Sequence, residues 1–194
     1  MVEKHQDMCD KIIEKSALYF KKHGLAKTTI DDIATSLRMG KSSLYYYFKG
    51  KEEIYRAVLD KEIHILIQKI AAALAACTTP QEKLRAFGFT RMQYLKELSN
   101  IYNALKDDYL SHHSFIQAMR ADYDAREFAL VQTILEEGVK RGDFAIEDIA
   151  LTAQAIITAL KGLEYEWSLK DSDVDISRGI DTLLSILLNG ILKK

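Results

Sequence analysis

The sequence predicts an all-α protein of about nine helices, and three observations carry that prediction. A single Pro and nine Gly in 194 residues leave little punctuation for hairpins or for Gly-rich phosphate loops. Val, Thr and Ile never form a run of short alternating segments, which sets aside sandwiches, barrels and most dinucleotide-binding dehydrogenases. Apolar residues instead recur every three or four positions in one segment after another, as helix faces do. At 48% hydrophobic and 28% charged, the chain can bury a real core, either as one compact domain or as a small module joined to a larger one.

Taken in order, the first helix runs from Lys4 to Lys22, where Met8, Ile12, Ile13, Ala17 and Phe20 make one face and His23-Gly24 supplies the stop. Thr29 with Asp32 three residues on has the form of a capping box. It opens a two-turn helix from Ile30 to Leu37 that buries Ile33, Ala34 and Leu37. Arg38-Met39-Gly40 breaks the pattern, and Lys41 to Phe48 resumes it with Leu44 and Phe48 one turn apart on the inner side. Two short helices joined by a three-residue turn are the helix-turn-helix signal. Lys49-Gly50 ends the third helix. Ile54, Val58, Ile63, Leu66, Ile67 and Ile70 then carry a long fourth helix from Lys51 to about Ala76, before Cys77-Thr-Thr-Pro80 stops it. Pro80 suits a helix N-terminus, and the remaining helices are expected near 81–98, 100–110, 114–141, 146–168 and 174–192. Lys170 to Asp175 is a polar connector. The organisation expected is a helix-turn-helix domain at 1–50 and a larger helical domain at 51–194.

Charge is distributed unevenly between these parts. Residues 1–51 hold 10 Lys+Arg against 6 Asp+Glu, a net of +4, and residues 52–194 hold 17 against 22, a net of −5, which together give the whole-chain −1. The basic excess favours an anionic partner for the first module. Cys9 and Cys77 have no CxxC pair or His-x-x-x-His companion, so neither a disulfide framework nor a structural zinc site is expected, which fits a reducing cytoplasm. The N-terminus is charged where a signal peptide needs an apolar core, and no stretch approaches the ~18 apolar residues of a membrane span. A cytoplasmic protein with no membrane partner is expected.

The segment from Thr28 to Ile54 joins Thr-Thr-x-x-x-Ile-Ala, Leu-Tyr-Tyr-x-Phe and Lys-Glu-x-Ile, and at that spacing it resembles the DNA-binding signature of the TetR family of bacterial regulators. The family usually has Gly where Arg38 stands, and a left-handed turn there would cost a non-glycine residue ~1 kcal/mol. Gly40 replaces the usual Ser before the third helix, a weaker N-cap by a few tenths of a kcal/mol. More loosely, Gly138-x-x-x-Gly142-x-Phe144, followed by a helix with Gly162 and Trp167, looks like the family's approach to its dimerising helices. The resemblance implies a ligand-binding and dimerisation domain after the helix-turn-helix.

The third helix supports the same conclusion from its own residues. Leu44 and Phe48 anchor it, while Ser42, Ser43, Tyr46 and Tyr47 share the outward side. Small hydroxyls let the backbone approach base edges, Lys41 can donate to guanine acceptors, and the Tyr46 face can meet a thymine methyl. By resemblance, Thr29, Tyr45, Tyr47 and Lys51 hold phosphates and set the register. The competing reading of Tyr45-Tyr46-Tyr47 is an aromatic cluster in a small core, but adjacent helical residues point three ways, so at most two could be buried together.

In the large domain, Phe87, Phe89, Met92, Tyr94, Tyr102, Phe115, Met119, Tyr123 and Trp167 suit a small-molecule cavity between helices. Taken alone they favour a plain helical core, and only the resemblance tips the balance toward a cavity, with His112 as a further lining residue. His112-His113 beside Asp107-Asp108 could hold a metal, but the stretch also reads as a polar corner between helices, so no metal or cofactor is expected. No nucleophile–base arrangement announces an enzyme.

Ala153, Ile156, Ile157, Leu160, Leu163 and Trp167, with Ile180, Leu183, Leu184, Leu187 and Leu188, offer more apolar surface than one thin protomer should cover, so a homodimer through the last two helices is expected. The small residues Ala155, Ala159 and Gly162 would let helices approach. The function expected is a ligand-responsive transcriptional regulator, a repressor released from a palindromic double-stranded DNA operator by a mostly apolar small-molecule inducer. The alternative is a helical small-molecule-binding or adaptor protein that keeps this fold and no longer reads DNA.

Overall fold

The computed structural model describes residues 2–106, 113–169 and 176–191. Among them are nine α-helices, α1 (Val2–Lys27), α2 (Ile30–Ser36), α3 (Lys41–Tyr47), α4 (Lys51–Ala75), α5 (Pro80–Glu97), α6 (Ser99–Lys106), α7 (Ser114–Arg141), α8 (Ile149–Leu169) and α9 (Ile176–Ile191). Helix α1 departs from the expected end. It breaks at Gly24, whose φ of 72° suits a residue without a Cβ, and then takes one more turn to Lys27. Helix α8 starts three residues later than expected because Asp148 accepts from the Leu151 backbone N–H at 2.9 Å, which makes it the cap. At α5, Pro80 has help. Glu82 accepts from the Thr79 N–H while the Thr79 hydroxyl accepts from the Glu82 N–H, a complete capping box.

The chain divides into two compact units, residues 1–65 with 98–116, and residues 66–97 with 117–194. A boundary at residue 50 isolates the helix-turn-helix, but packing carries the first unit further. Its core is Ile12, Phe20, Leu25, Ile33, Leu44, Ile54 and Val58, drawn from α1 to α4. Helix α6, later in sequence, joins it through polar contacts. The Glu62 carboxylate on α4 accepts from the Ile101 N–H and from Asn100 Nδ2, both at 2.7 Å, and Asn100 Nδ2 also donates to the Ala17 carbonyl at 3.2 Å. Tyr55 Oη donates to the Asn100 carbonyl. Burial pushes the Glu62 carboxyl above its ordinary pKa despite these donors. A carboxylate at the first turn of α6 meets the unpaired N–H groups that every helix start presents.

In the second unit, α5 and α9 approach closely at Gly88, where a Cβ would touch Ile180, Leu160 and Leu184. Helix α7 ends at Gly142, with φ of 78°, and the chain turns back so that Phe144 lies on Gly138. A Cβ at Gly138 would overlap that ring, so the position requires glycine. Burial divides the residues expected at the dimer seam. Ala153, Ile156, Ile157, Leu160, Ile180 and Leu184 are buried within one protomer, because α5 and its neighbours already cover that face. Leu163, Leu183, Leu187 and Leu188 are half-buried, and the Trp167 side chain lies outside the described residues. What α8 and α9 leave open is Leu151 (67% exposed), Ala155, Gly162 and Ile186 (67% exposed).

Candidate nucleic-acid interface

The interface begins with the helix-turn-helix itself. Thr29 caps α2 as its spacing predicts, with the Thr29 backbone N–H donating to Asp32 at 2.9 Å and the Asp32 N–H donating to the Thr29 hydroxyl at 3.2 Å. The Thr29 hydroxyl donates back at 2.6 Å, and it is chiefly this bond, with the backbone donor, that holds the Asp32 carboxyl below its usual range. In the turn, Arg38 adopts φ of 55°, the left-handed conformation that glycine would take at no cost. The motif therefore keeps its backbone path, with ~1 kcal/mol of strain at this residue. Gly40 caps α3 through its backbone alone, with no side-chain bond.

Helix α3 is seven residues long and has two clear sides. Leu44 is fully buried, and Phe48 just beyond the helix is also buried. Lys41, Ser42, Ser43, Tyr45 and Tyr46 are exposed, Tyr46 at 73% and Tyr45 at 47%, and Tyr47 is half-buried. The core alternative for the tyrosine run is thereby answered, since the buried anchor beside it is Leu44. Lys41 lies 3.0 Å from Asp31, an exposed pair that a stronger anion could displace. Ser42, Ser43, Tyr45 and Tyr46 thus form one open polar and aromatic face, with Thr29 exposed at the start of α2.

Lys51 has a different setting. Its ammonium donates to the carbonyls of Leu25 at 2.9 Å, Thr28 at 3.0 Å and Ala26 at 3.4 Å, which the end of α1 at Lys27 leaves without helical partners. All three of its N–H donors are engaged, so the phosphate contact expected from the sequence requires this clamp to open.

The expected ligand-lining residues divide between the units. Tyr102 and Phe115 belong to the first, where Phe115 is half-buried with the Arg56 guanidinium 5.6 Å from its ring centre. Phe89, Met92, Tyr94, Met119 and Tyr123 belong to the second. Phe89 is exposed, Tyr94 is half-buried with Lys69 over its ring, Met119 is half-buried, and Met92 packs with Ile180 and Leu184. His112, with Asp107 and Asp108, lies outside the described residues. Sequence reasoning misses the polar centre beside this set. Arg91 Nε donates to Glu127 at 2.5 Å, Tyr123 Oη donates to the same Glu127 oxygen, and all three side chains are buried. The signal was available, because Arg91 continues the apolar series Leu84 and Phe87, and Glu127 sits between Tyr123 and Val131.

A helix-turn-helix within residues 1–51, of net charge +4, followed by a helical unit with aromatic side chains and a buried polar centre, has the arrangement of a DNA-binding regulator. Residues 12–58 match the family described as "Bacterial regulatory proteins, tetR family", and residues 67–193 match "QacR-like protein, C-terminal region". The chain belongs to the TetR family of transcriptional regulators, which is a non-enzymatic family. Similar over nearly the whole length is the probable HTH-type transcriptional regulator ArpR of Pseudomonas putida, 27% identical and covering 99% of this chain and 97% of that one. The biofilm operon icaADBC negative transcriptional regulator IcaR of Staphylococcus epidermidis is 49% identical over 49 residues, 25% of this chain and 26% of that one. In structure, a TetR-family regulator from Cytophaga hutchinsonii has the same fold, with a TM-score of 0.83 at 21% identity over 98% of both chains. No helix among the described residues is long and apolar enough to cross a membrane.

Proposed function

We propose that this regulator is a homodimeric repressor that reads a near-palindromic DNA operator through α3 and leaves it when a mostly apolar small molecule binds the second unit. One observation carries the DNA part. Leu44 and Phe48 are buried while Lys41, Ser42, Ser43, Tyr45 and Tyr46 are exposed beside them, so α3 is anchored by one side and free to enter a major groove with the other. Thr29 and Tyr47 then position the helix on phosphates. The negative-regulator name of the relative that matches over 49 residues supports repression.

Pairing is supported by the face that Leu151, Ala155, Gly162 and Ile186 present, apolar and built of small residues where helices could approach. For the ligand, Phe89, Tyr94 and Met119 offer aromatic and thioether surface only partly used by the core. The Arg91–Glu127 pair is neutral as a whole, which suits a mostly apolar guest. The lever is α4, one continuous helix that belongs to the first unit as far as Ile65 and to the second from Leu66. A ligand that favours a displaced α4 weakens operator binding, and linkage demands that operator weaken ligand binding by the same factor.

The test is a mobility shift with duplexes that the protein selects from a random pool. Tyr46→Ala and Lys41→Ala should change which bases are preferred, at ~1–3 kcal/mol for each lost base contact. Variants that keep the wild-type preference would overturn the assignment of base reading to α3, and a wild type that selects no duplex would return the adaptor alternative. Light scattering of Ile186→Glu at micromolar concentration should show monomer where the wild type shows dimer.

A further inference from the structure

Helix α1 ordinarily counts as support for a helix-turn-helix, yet its first turns reach the reading helix here. The His5 ring centre lies 4.9 Å from that of Tyr47, with planes at 41°, and 5.7 Å from that of Tyr46, at 67°. The two tyrosines are themselves 5.0 Å apart and nearly perpendicular, at 88°. Three aromatic rings therefore each contact the other two, within the separations and edge-to-face tilts at which such pairs attract. One turn further along α1, the Cys9 thiol lies 3.7 Å from His5 Nδ1, so the imidazole is itself held on its α1 side.

This cluster contributes little to the core. His5 and Tyr46 are exposed, and the first fully buried residue of α1 is Ile12, two turns away. It does restrict rotation. An exposed tyrosine on a helix has more than one staggered χ1 open to it, and a phenol that reads a base must hold one of them when DNA arrives. The His5 and Tyr47 rings, packed against each other and against one side of Tyr46, narrow that freedom beforehand.

We infer that His5 is a positioning residue for DNA reading. Its imidazole, edge-on to Tyr46 and tilted against Tyr47, fixes the rotamers in which these tyrosines address DNA, so α1 takes part in sequence discrimination from outside the helix-turn-helix. The inference rests on the assignment of Tyr46 to base reading above.

The experiment compares His5→Ala, His5→Phe and Tyr46→Ala in the full chain, using the duplex that wild type selects from a random pool, a scrambled duplex, and the base-preference profile of each variant. His5→Ala should melt as the wild type does and bind the scrambled duplex equally. It should lose about tenfold in affinity for the selected duplex and flatten the preference at the positions that Tyr46→Ala flattens. His5→Phe, which keeps a ring without the imidazole, should restore both. A wild-type profile for His5→Ala overturns the inference, as does a His5→Phe variant as impaired as His5→Ala. If Tyr46→Ala also keeps the wild-type profile, it is the assignment of α3 that fails. A flattened Tyr46→Ala profile beside an unchanged His5→Ala profile removes the role of His5 alone.

Discussion

The two units tie their helices together by different means. In the first, buried and half-buried polar side chains mostly address the main chain of another helix. Lys51 donates to the carbonyls that end α1, Glu62 accepts from the first turn of α6, Asn100 donates to Ala17 and Tyr55 donates to Asn100. In the second, side chains mostly address side chains, as in Arg91 with Glu127, Tyr123 with Glu127, Lys83 with Glu137 and Arg85 with Asp181, although Arg141 also donates to the Thr78 carbonyl. A main-chain group is present whatever residue occupies the position, so contacts of the first kind survive substitution of one partner. A side-chain pair fails when either member changes. The unit that presents DNA is thus held by contacts that depend on few identities, and the unit proposed to meet a ligand by contacts that depend on many.

The largest expected effect tests the second kind. Arg91→Ala leaves Glu127 buried with the Tyr123 hydroxyl as its donor, and removing one partner of a buried ion pair costs about 3–5 kcal/mol. Replacing both, Arg91→Met with Glu127→Leu, should recover most of that loss, because burying two charges carries its own desolvation cost. Denaturant unfolding of Arg91→Met, Glu127→Leu and the double gives the coupling. Additive losses would mean that the pair does not act as a unit.

Next comes the main-chain clamp. Lys51→Ala should destabilise by about 1–3 kcal/mol, since charged hydrogen bonds to three carbonyls are lost and water can replace only part of them. It should leave the salt dependence of operator binding unchanged. A slope shallower by about one unit would instead mean that the ammonium leaves the carbonyls for a phosphate.

These differences also explain what the sequence makes legible. Contacts within a few residues leave a local signature. The capping box at Thr29 and Asp32, the break at Gly24, and the anchoring of α3 by Leu44 and Phe48 are all readable at their spacing. The same three-residue signature stands at Thr79 and Glu82, where reading Pro80 alone explains only part of the start of α5. A partner on a distant helix leaves no such trace. Arg91 and Glu127 stand out only as charges in apolar series, 36 residues apart, with nothing local to say that they meet. The division of the expected dimer face into buried and open residues has a related cause. Periodicity marks Ile156, Leu160, Ile180 and Leu184 as buried, but whether a neighbour in the same chain or a second copy buries them depends on α5.

A smaller effect marks the limit of the side-chain kind. Arg85 and Asp181 lie 2.7 Å apart but are largely exposed, so water screens the pair and both side chains lose freedom to hold it. Arg85→Ala should change stability by less than about 1 kcal/mol in the same unfolding measurement. A loss comparable with that of Arg91→Ala would show that pairing across α5 and α9, rather than burial, sets the strength of these contacts.

The smallest expected effect separates two carboxylates that both accept from main-chain donors. Glu82 is exposed and receives the N–H groups of Thr79 and Thr78 and their hydroxyls, which hold its carboxyl down to about 2. Its folded pKa lies below its unfolded one, so its contribution is present above the ordinary carboxylate range and fades as pH falls toward about 2. Glu62 is raised by burial, against the pull of the Asn100 amide and the Ile101 N–H. Its folded state takes up a proton before the unfolded chain does, so its contribution to stability grows as pH falls from neutral into the ordinary carboxylate range. Melting curves at several pH values between neutrality and the onset of acid unfolding should therefore diverge in opposite directions. Relative to Glu82→Gln the wild type should lose its advantage as pH falls, and relative to Glu62→Gln it should gain. Two differences of the same sign would mean that burial does not distinguish these carboxylates, and that the first turn of α6 is held by its donors in the same way as the first turn of α5.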